Sequence, residues 1–360
     1  MGLPRDEKES VDSPAPRGSL GPNMADHATQ HVSRLRDLDD DALNQVLELS
    51  ARLKGRQTRG DLVGRTVGML FFRGSLRTRA SFETAVHQLG GHALNLTAMS
   101  DFWELEEREG TVMDGKAPEH IKDAAAALSS YCHALAIRPA LAGANWNTDR
   151  HDRHIKGWVR HSSVPVINME SALWHPLQAL ADLLTLRENL QKLEGKTVAL
   201  CWVHSTEPAS PAVAHSLLHA VLRSGMNVRL AHPPGYELDG EVMDEAFGLA
   251  GERNVNIQQD MLPEEAVKGA DVVYARSWRS LESYGNPTLQ ASQRSRHTNW
   301  RIDEKLFELC PEARLMHAMP VRRNVEITDA VLDSPRSLLY EQAANRLWSQ
   351  MALLIHLLRS

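Results

Sequence analysis

Two hydroxyls and two guanidinium groups fall within five residues at Ser75-Leu76-Arg77-Thr78-Arg79. An apolar run, Thr66 to Phe72, leads into this segment, and a helical stretch follows it as far as the Gly90-Gly91 pair. A strand that turns into a helix presents unpaired backbone N–H groups and the positive end of the helix dipole, which together suit a phosphate. Ser75 and Thr78 add hydroxyl donors, and Arg77 can add a bidentate, charge-assisted contact. The same residues equally fit an ordinary capped helix with surface arginines. Three further groups stand where chemistry is feasible: Arg138 at the end of an apolar run, His175 ahead of Pro176 and Gln178 at a helix start, and Arg346 on the last helix. Each by itself is as compatible with a solvated or purely structural role.

The elements that must position these groups alternate. Helix-start aspartates at Asp39 to Asp41 precede Leu43, Val46 and Leu47 at helical spacing. Strands are expected at 66–72, 92–97, 134–138 and 164–169, with helices between them and a long helix from His175 to about Leu190. After Gly195 the pattern restarts, with strands at 197–202, 227–232, 271–275 and 313–318 and a helix at 211–224. The tail 340–358 sets Leu347, Trp348, Met351, Leu354, Ile355 and Leu358 on one face. Alternation of this kind predicts an α/β fold of two doubly wound parallel sheets flanked by helices. Residues 1–30 are rich in Pro, Gly, Ser and charge and are expected to be disordered. No G-x-G-x-x-G follows either leading strand, which excludes a nicotinamide dehydrogenase on the same fold.

Bulk properties narrow the classes. A chain of 360 residues can bury two cores, and 42% hydrophobic with 24% charged residues is ordinary for a globular protein. The net charge of −6 argues against nucleic acid or an anionic membrane as partner. Cys132, Cys201 and Cys310 are far apart without ligand-like spacing, so reduced core thiols in a cytoplasmic protein are expected. No apolar run approaches a membrane span.

The motifs, taken together and in order, resemble the aspartate/ornithine carbamoyltransferase superfamily. The S-x-R-T-R segment followed by Ser81-Phe82-Glu83 is similar to its carbamoyl phosphate signature, and Arg138, His175-Pro176-Leu177-Gln178 and His317-Ala318-Met319-Pro320 follow in family order. The resemblance spans roughly residues 35 to 358 and implies a carbamoyl phosphate-binding domain at 31–181. The last helix, 336–360, returns to that domain, and 182–335 forms an acceptor-binding domain. It implies that Thr78, Arg138 and His175 face the carbonyl oxygen, while Ser75, the Leu76 amide, Arg77, Thr78 and Arg346 hold the phosphate. Gln178 and the carbonyls around Ala318 and Met319 would hold the carbamoyl NH₂. No metal or other cofactor is implied.

Within the superfamily, Phe102-Trp103-Glu104-Leu105-Glu106 and Gly110-Thr111-Val112-Met113-Asp114-Gly115 resemble the branch acting on N-acylated ornithine. There the tryptophan reaches a neighbouring subunit's site, which implies a homotrimer. The same resemblance makes Glu170, Arg276 and Arg322 acceptor-binding residues. Pro118 falls at the position that separates acetyl from succinyl substrates. A glutamate there would repel a second carboxylate and proline does not, so N-succinyl-L-ornithine is the expected acceptor in arginine biosynthesis. Proline at the first position of a helix is the plain alternative for Pro118; N-acetyl-L-ornithine, or a weakly catalytic carbamoyl phosphate-binding paralogue, are the alternative functions. Four residues depart from the family pattern: Ala318 replaces a cysteine, Glu207 a basic residue, Arg276 a lysine, and Glu326 a lysine that is carboxylated in some acetyl-specific relatives.

Overall fold

Near-continuous apolar runs mark strands covered on both faces, as parallel sheets require. The computed structural model describes residue 2, residues 30–55 and residues 59–359; apart from residues 2 and 30, the expected disordered extension lies outside them. The first sheet is built from Thr66–Phe71 (β1), His92–Thr97 (β2), Ala134–Arg138 (β3) and Val166–Asn168 (β4) in the order β2-β1-β3-β4. Every pairing is parallel. The second comprises Thr197–Trp202 (β5), Asn227–Ala231 (β6), Ile257–Met261 (β7), Val272–Arg276 (β8) and Arg314–Met316 (β9), ordered β9-β8-β5-β6-β7 and again parallel throughout.

In each sheet the chain order reverses beside the first strand, between β1 and β3 and between β5 and β8. Such switch points leave a crevice at the strand carboxyl ends, where open α/β sheets take their ligands. The functional side chains follow from this placement. Residues 73–78 leave β1, Arg138 closes β3 and Arg276 closes β8.

The longer helices are Asp40–Leu53 (α1), Leu76–Gln88 (α2), Ile121–Tyr131 (α3), Arg153–His161 (α4), Pro176–Asn189 (α5), Ala212–Arg223 (α6), Gly240–Arg253 (α7) and Leu339–Leu358 (α8), with shorter helices between. Asp39 Oδ1 accepts the Ala42 N–H at 2.8 Å, the N-cap read from the aspartate run. Helix α5 is buried over Pro176 to Leu186 because it joins the two sheets and is covered from both sides. Helix α8 packs on α1, α2 and α5.

Two expectations are corrected. The buried stripe of α8 is apolar from Met351 onward; before it, after Leu339, the buried residues are Gln342, Asn345, Arg346, Ser349 and Gln350, while Leu347 and Trp348 are only partly covered. That polar stretch faces polar groups of α5, so a hydrophobic periodicity cannot find it. Pro118 is not a first-turn proline, since α3 begins at Ile121 with His120 as its N-cap. Pro118 instead precedes a short strand, Glu119–His120, that pairs in parallel with Leu105–Glu106. That register brings Trp103 and Pro118 to the same end of the two-stranded ribbon.

Candidate active site

A cavity of about 440 Å³ opens where the two switch points meet. Among the described residues, six arginines line it (Arg73, Arg77, Arg138, Arg276, Arg279 and Arg346) against one carboxylate, Glu170. In a chain of net charge −6 this is a local excess of positive charge in a partly desolvated space. Mutual repulsion shows in the titration of its members. Burial, and then the charge of Arg138, push Arg346 down to about 10. Burial followed by Arg276 and Arg138 lowers Arg77. Bringing a dianion into such a site relieves repulsion that folding has already imposed.

The floor is the start of α2. Ser75 is its N-cap, and Ser75 Oγ accepts the Thr78 N–H at 3.3 Å. The amides of Leu76 and Arg77 open the helix, where no preceding turn can accept them. Capping and ligand-facing roles therefore coincide. Arg346 crosses above: Nη2 donates to Thr78 Oγ1 (2.8 Å) and Nη1 to Gln178 Oε1 (2.6 Å).

At the wall, Arg138 Nη2 lies 2.5 Å from Glu170 Oε2, and Arg73 Nη2 lies 3.9 Å from it. Burial would raise the Glu170 carboxyl, but Arg138 and then Arg73 outweigh it and hold the group well below the usual carboxylate range. Glu170 has φ of 140°, which L residues rarely adopt. Its N–H donates to Asn168 Oδ1 (3.0 Å), and Arg73 donates to its carbonyl, so the peptide is fixed from both sides.

His175 caps α5, with Nδ1 accepting the Gln178 N–H at 3.4 Å. Burial lowers its pKa far below 6.5, so the ring is neutral, and its Nε2 lies 3.4 Å from Arg346 Nη1, which can only donate. The group offered to the cavity is thus a neutral imidazole.

The second domain closes the space with Arg276, Arg279, Tyr284 and the turn at Ala318-Met319-Pro320, whose Met319–Pro320 bond is cis. Arg276 Nη1 donates to the Ala318 carbonyl. Glu326 is buried, with Oε2 2.9 Å from His317 Nε2. Glu207 is exposed and outside the cavity, so its charge does not oppose an anionic ligand there.

Of the residues singled out in the sequence, Ser75, Leu76, Arg77, Thr78, Arg138, Glu170, His175, Gln178, Arg276, Ala318, Met319 and Arg346 converge on this one cavity. Trp103, Pro118 and Arg322 do not, and all three are exposed. Around Arg322 the backbone turns back on itself, with the Val325 and Glu326 N–H groups donating to the Arg322 carbonyl (3.1 and 2.9 Å). Sequence reasoning missed Arg73, Arg279 and Tyr284. Arg73 adjoins the signature and was findable. Tyr284 was not, because its place depends on a hydrogen bond from its hydroxyl to Asp149 Oδ2 (2.7 Å), 135 residues away.

Two parallel α/β domains whose strand ends converge on an arginine-lined cavity define a two-domain enzyme of an anionic substrate. Residues 30–188 match the description "Aspartate/ornithine carbamoyltransferase, carbamoyl-P binding domain", and residues 194–357 match "Aspartate/ornithine carbamoyltransferase, Asp/Orn binding domain". The N-acetylornithine carbamoyltransferase of Xanthomonas axonopodis pv. citri (strain 306) is 38% identical over 328 residues, covering 90% of this chain and 95% of that one. The N-succinylornithine carbamoyltransferase of Bacteroides fragilis (strain 638R) is 31% identical over 328 residues, 91% of this chain and 98% of that one. A crystal structure of a glutamate-to-proline mutant of N-acetyl-L-ornithine transcarbamylase, complexed with carbamyl phosphate and N-succinyl-L-norvaline, superposes with a TM-score of 0.88 at 38% identity, covering 91% of this chain and 99% of that one. The chain belongs to the aspartate/ornithine carbamoyltransferase family, in the branch of its N-acylornithine members, and is a carbamoyltransferase.

Proposed function

We propose that this protein transfers the carbamoyl group of carbamoyl phosphate to the side-chain amine of N-succinyl-L-ornithine, giving N-succinyl-L-citrulline and phosphate, as a step of arginine biosynthesis in the cytoplasm. The observation that carries the donor half is the meeting of the α2 N-terminus, Arg138, His175, Gln178 and Arg346 on one cavity. Ser75, the Leu76 amide, Arg77, Thr78 and Arg346 hold the phosphate. Arg138, Thr78 and His175 face the carbonyl oxygen, where charge develops as the amine adds; fixed donors there are worth about 10²–10³ each in rate. Gln178 Oε1 and the carbonyls of Ala318 and Met319 accept from the carbamoyl NH₂. The nitrogen bonds to the carbonyl carbon, the carbon–oxygen bond to phosphate breaks with its electrons going to phosphate, and the proton shed by the nitrogen ends on the departing phosphate. Glu170, Arg276 and Arg322 serve the acceptor.

The acyl preference rests on Pro118. In the related enzyme, replacing a glutamate by proline accompanies a bound N-succinyl-L-norvaline, and Pro118 carries no charge against a succinyl carboxylate. N-acetyl-L-ornithine is the second reading, favoured by the higher identity to an N-acetylornithine enzyme. Steady-state kinetics with both acyl-ornithines separates the two. Wild type is expected to favour the succinyl compound, and Pro118→Glu to lower kcat/KM for it by about tenfold or more while sparing the acetyl compound, a charge effect of roughly 1.4 kcal/mol. An unchanged ratio rejects the role of Pro118.

Trp103 is 68% exposed, and Met99 and Val112 are more so. We assign this face to a neighbouring copy in a homotrimer, where Trp103 and Pro118 enter the next subunit's cavity together. Light scattering is expected to give three chains per particle, and a monomer removes the assignment.

The pH profile has a definite sign. The acceptor amine must be neutral to attack, and a free alkylamine titrates near ~10.4, so activity is expected to rise by about tenfold per unit from pH 6 to 8. His175 is held neutral across that range and adds no inflection of its own. A flat profile contradicts attack as the limiting step.

A further inference from the structure

Behind the cavity, and not lining it, lies Asp182, a carboxylate of 0% exposure on α5. Its Oδ1 accepts from two glutamine amides, Gln178 Nε2 at 2.8 Å and Gln342 Nε2 at 2.7 Å. Its Oδ2 accepts from the Tyr274 hydroxyl at 3.0 Å. An amide side chain can in general point either way, since its oxygen and nitrogen are nearly the same shape. A carboxylate oxygen only accepts, so both NH₂ groups must face Asp182 and both carbonyl oxygens must face away. For Gln178 that sends Oε1 to the cavity side, where it meets Arg346. For Gln342 it sends Oε1 to the His317 N–H at 3.0 Å, which pins the residue before Ala318.

These are the two sides of the proposed carbamoyl NH₂ contact, one from each domain. We infer that Asp182 is the positioning residue that registers both acceptors of that NH₂, Gln178 Oε1 and the Ala318-Met319 turn, and so sets the enzyme's choice of an amide-bearing donor over its methyl counterpart. The inference rests on the donor pocket proposed above. The helical spacing supports it: Gln178 and Asp182 are four residues apart on α5, and Gln342 and Arg346 are four apart on α8. One carboxylate thus faces a matched pair of helix turns. Loss of the fixed acceptors leaves phosphate binding in place, because Ser75, Arg77 and Thr78 belong to the separate α2 terminus and Arg346 keeps its bond to Thr78 Oγ1 when Gln178 is released.

The test is calorimetry on the full chain with phosphonoacetamide and acetonylphosphonate, which differ only in NH₂ against CH₃, and with inorganic phosphate. Wild type is expected to prefer the amide by about tenfold or more, the worth of the paired NH₂ contact. Asp182→Asn keeps an oxygen toward both glutamines and can donate to Tyr274, so the preference is expected to survive. Asp182→Leu removes the acceptor, and Gln342→Met removes the tether to His317 without altering charge. In both, the preference is expected to fall toward unity with phosphate affinity held within about threefold. An unaltered preference in Gln342→Met, or a parallel loss of all three ligands, overturns the inference even if Asp182→Leu does not fold. A wild type that binds neither phosphonate overturns the donor pocket itself.

Discussion

Replacing Arg138 with methionine is expected to lower carbamoyl transfer by roughly 10³-fold or more, the largest effect of any single side chain in the cavity. Two losses combine. The carbonyl oxygen loses a fixed donor, worth about 10²–10³ alone. Glu170 also loses the partner 2.5 Å away, leaving a buried carboxylate whose nearest remaining cation, Arg73, is at 3.9 Å. An uncompensated buried charge is the expensive outcome of breaking such a pair, and here it also repels the incoming dianion. A double-mutant cycle divides the two. Glu170→Gln on the Arg138→Met background should restore donor affinity by removing the repulsion, yet leave kcat low because the oxyanion donor is still missing. Steady-state kinetics with donor as the varied substrate checks both. A fall below tenfold in Arg138→Met, or full recovery in the double variant, contradicts the assignment.

Arg346→Met is expected to separate stability from binding. Arg346 is 5% exposed and donates to both Thr78 and Gln178 in a cavity already crowded with positive charge. Burial and Arg138 both disfavour its charged form. Removing it relieves that repulsion, so the unliganded melting temperature should hold or rise. The donor's phosphate loses a bidentate partner, and affinity should weaken by about 10²-fold or more. At donor a hundredfold above the wild-type Kd, binding adds about 2.7 kcal/mol to wild-type stability, and nearly all of that increment should vanish in the variant. Thermal unfolding with and without donor reads both quantities. An undiminished ligand shift, or an unliganded protein that barely folds, places Arg346 among structural residues instead.

How much of this was legible beforehand depended on the range of the signal. Ser75, Arg77 and Thr78 were readable because strand end, cap and helix start are consecutive. Their cavity position follows from β1 sitting at a switch point. Arg138 and His175 were ambiguous one at a time, and only their order along the chain resolved them. The burial of Arg346 ran against its local pattern, since the face carrying Gln342, Asn345 and Arg346 is the polar one. It is buried because α8 lies on α5 and α2, contacts between residues 160 and 268 positions apart. Arg322 shows the converse. The resemblance makes it an acceptor-binding residue, but the turn that carries it leaves it exposed and off the cavity. Strand β7, Ile257–Met261, escaped notice because an edge strand with Gln258, Gln259 and Asp260 exposed has neither an apolar run nor clean alternation.

Everything proposed depends on a carbamoyl group leaving phosphate for an amine in this one cavity. Carbon-13 NMR on protein supplied with carbonyl-labelled carbamoyl phosphate and an N-acylornithine follows that carbon directly. The expected result is a ureido carbonyl resonance that grows in step with released phosphate and disappears in Arg138→Met. Labelled donor that decays only at its uncatalysed rate, with no ureido carbon formed from either acyl-ornithine, contradicts it.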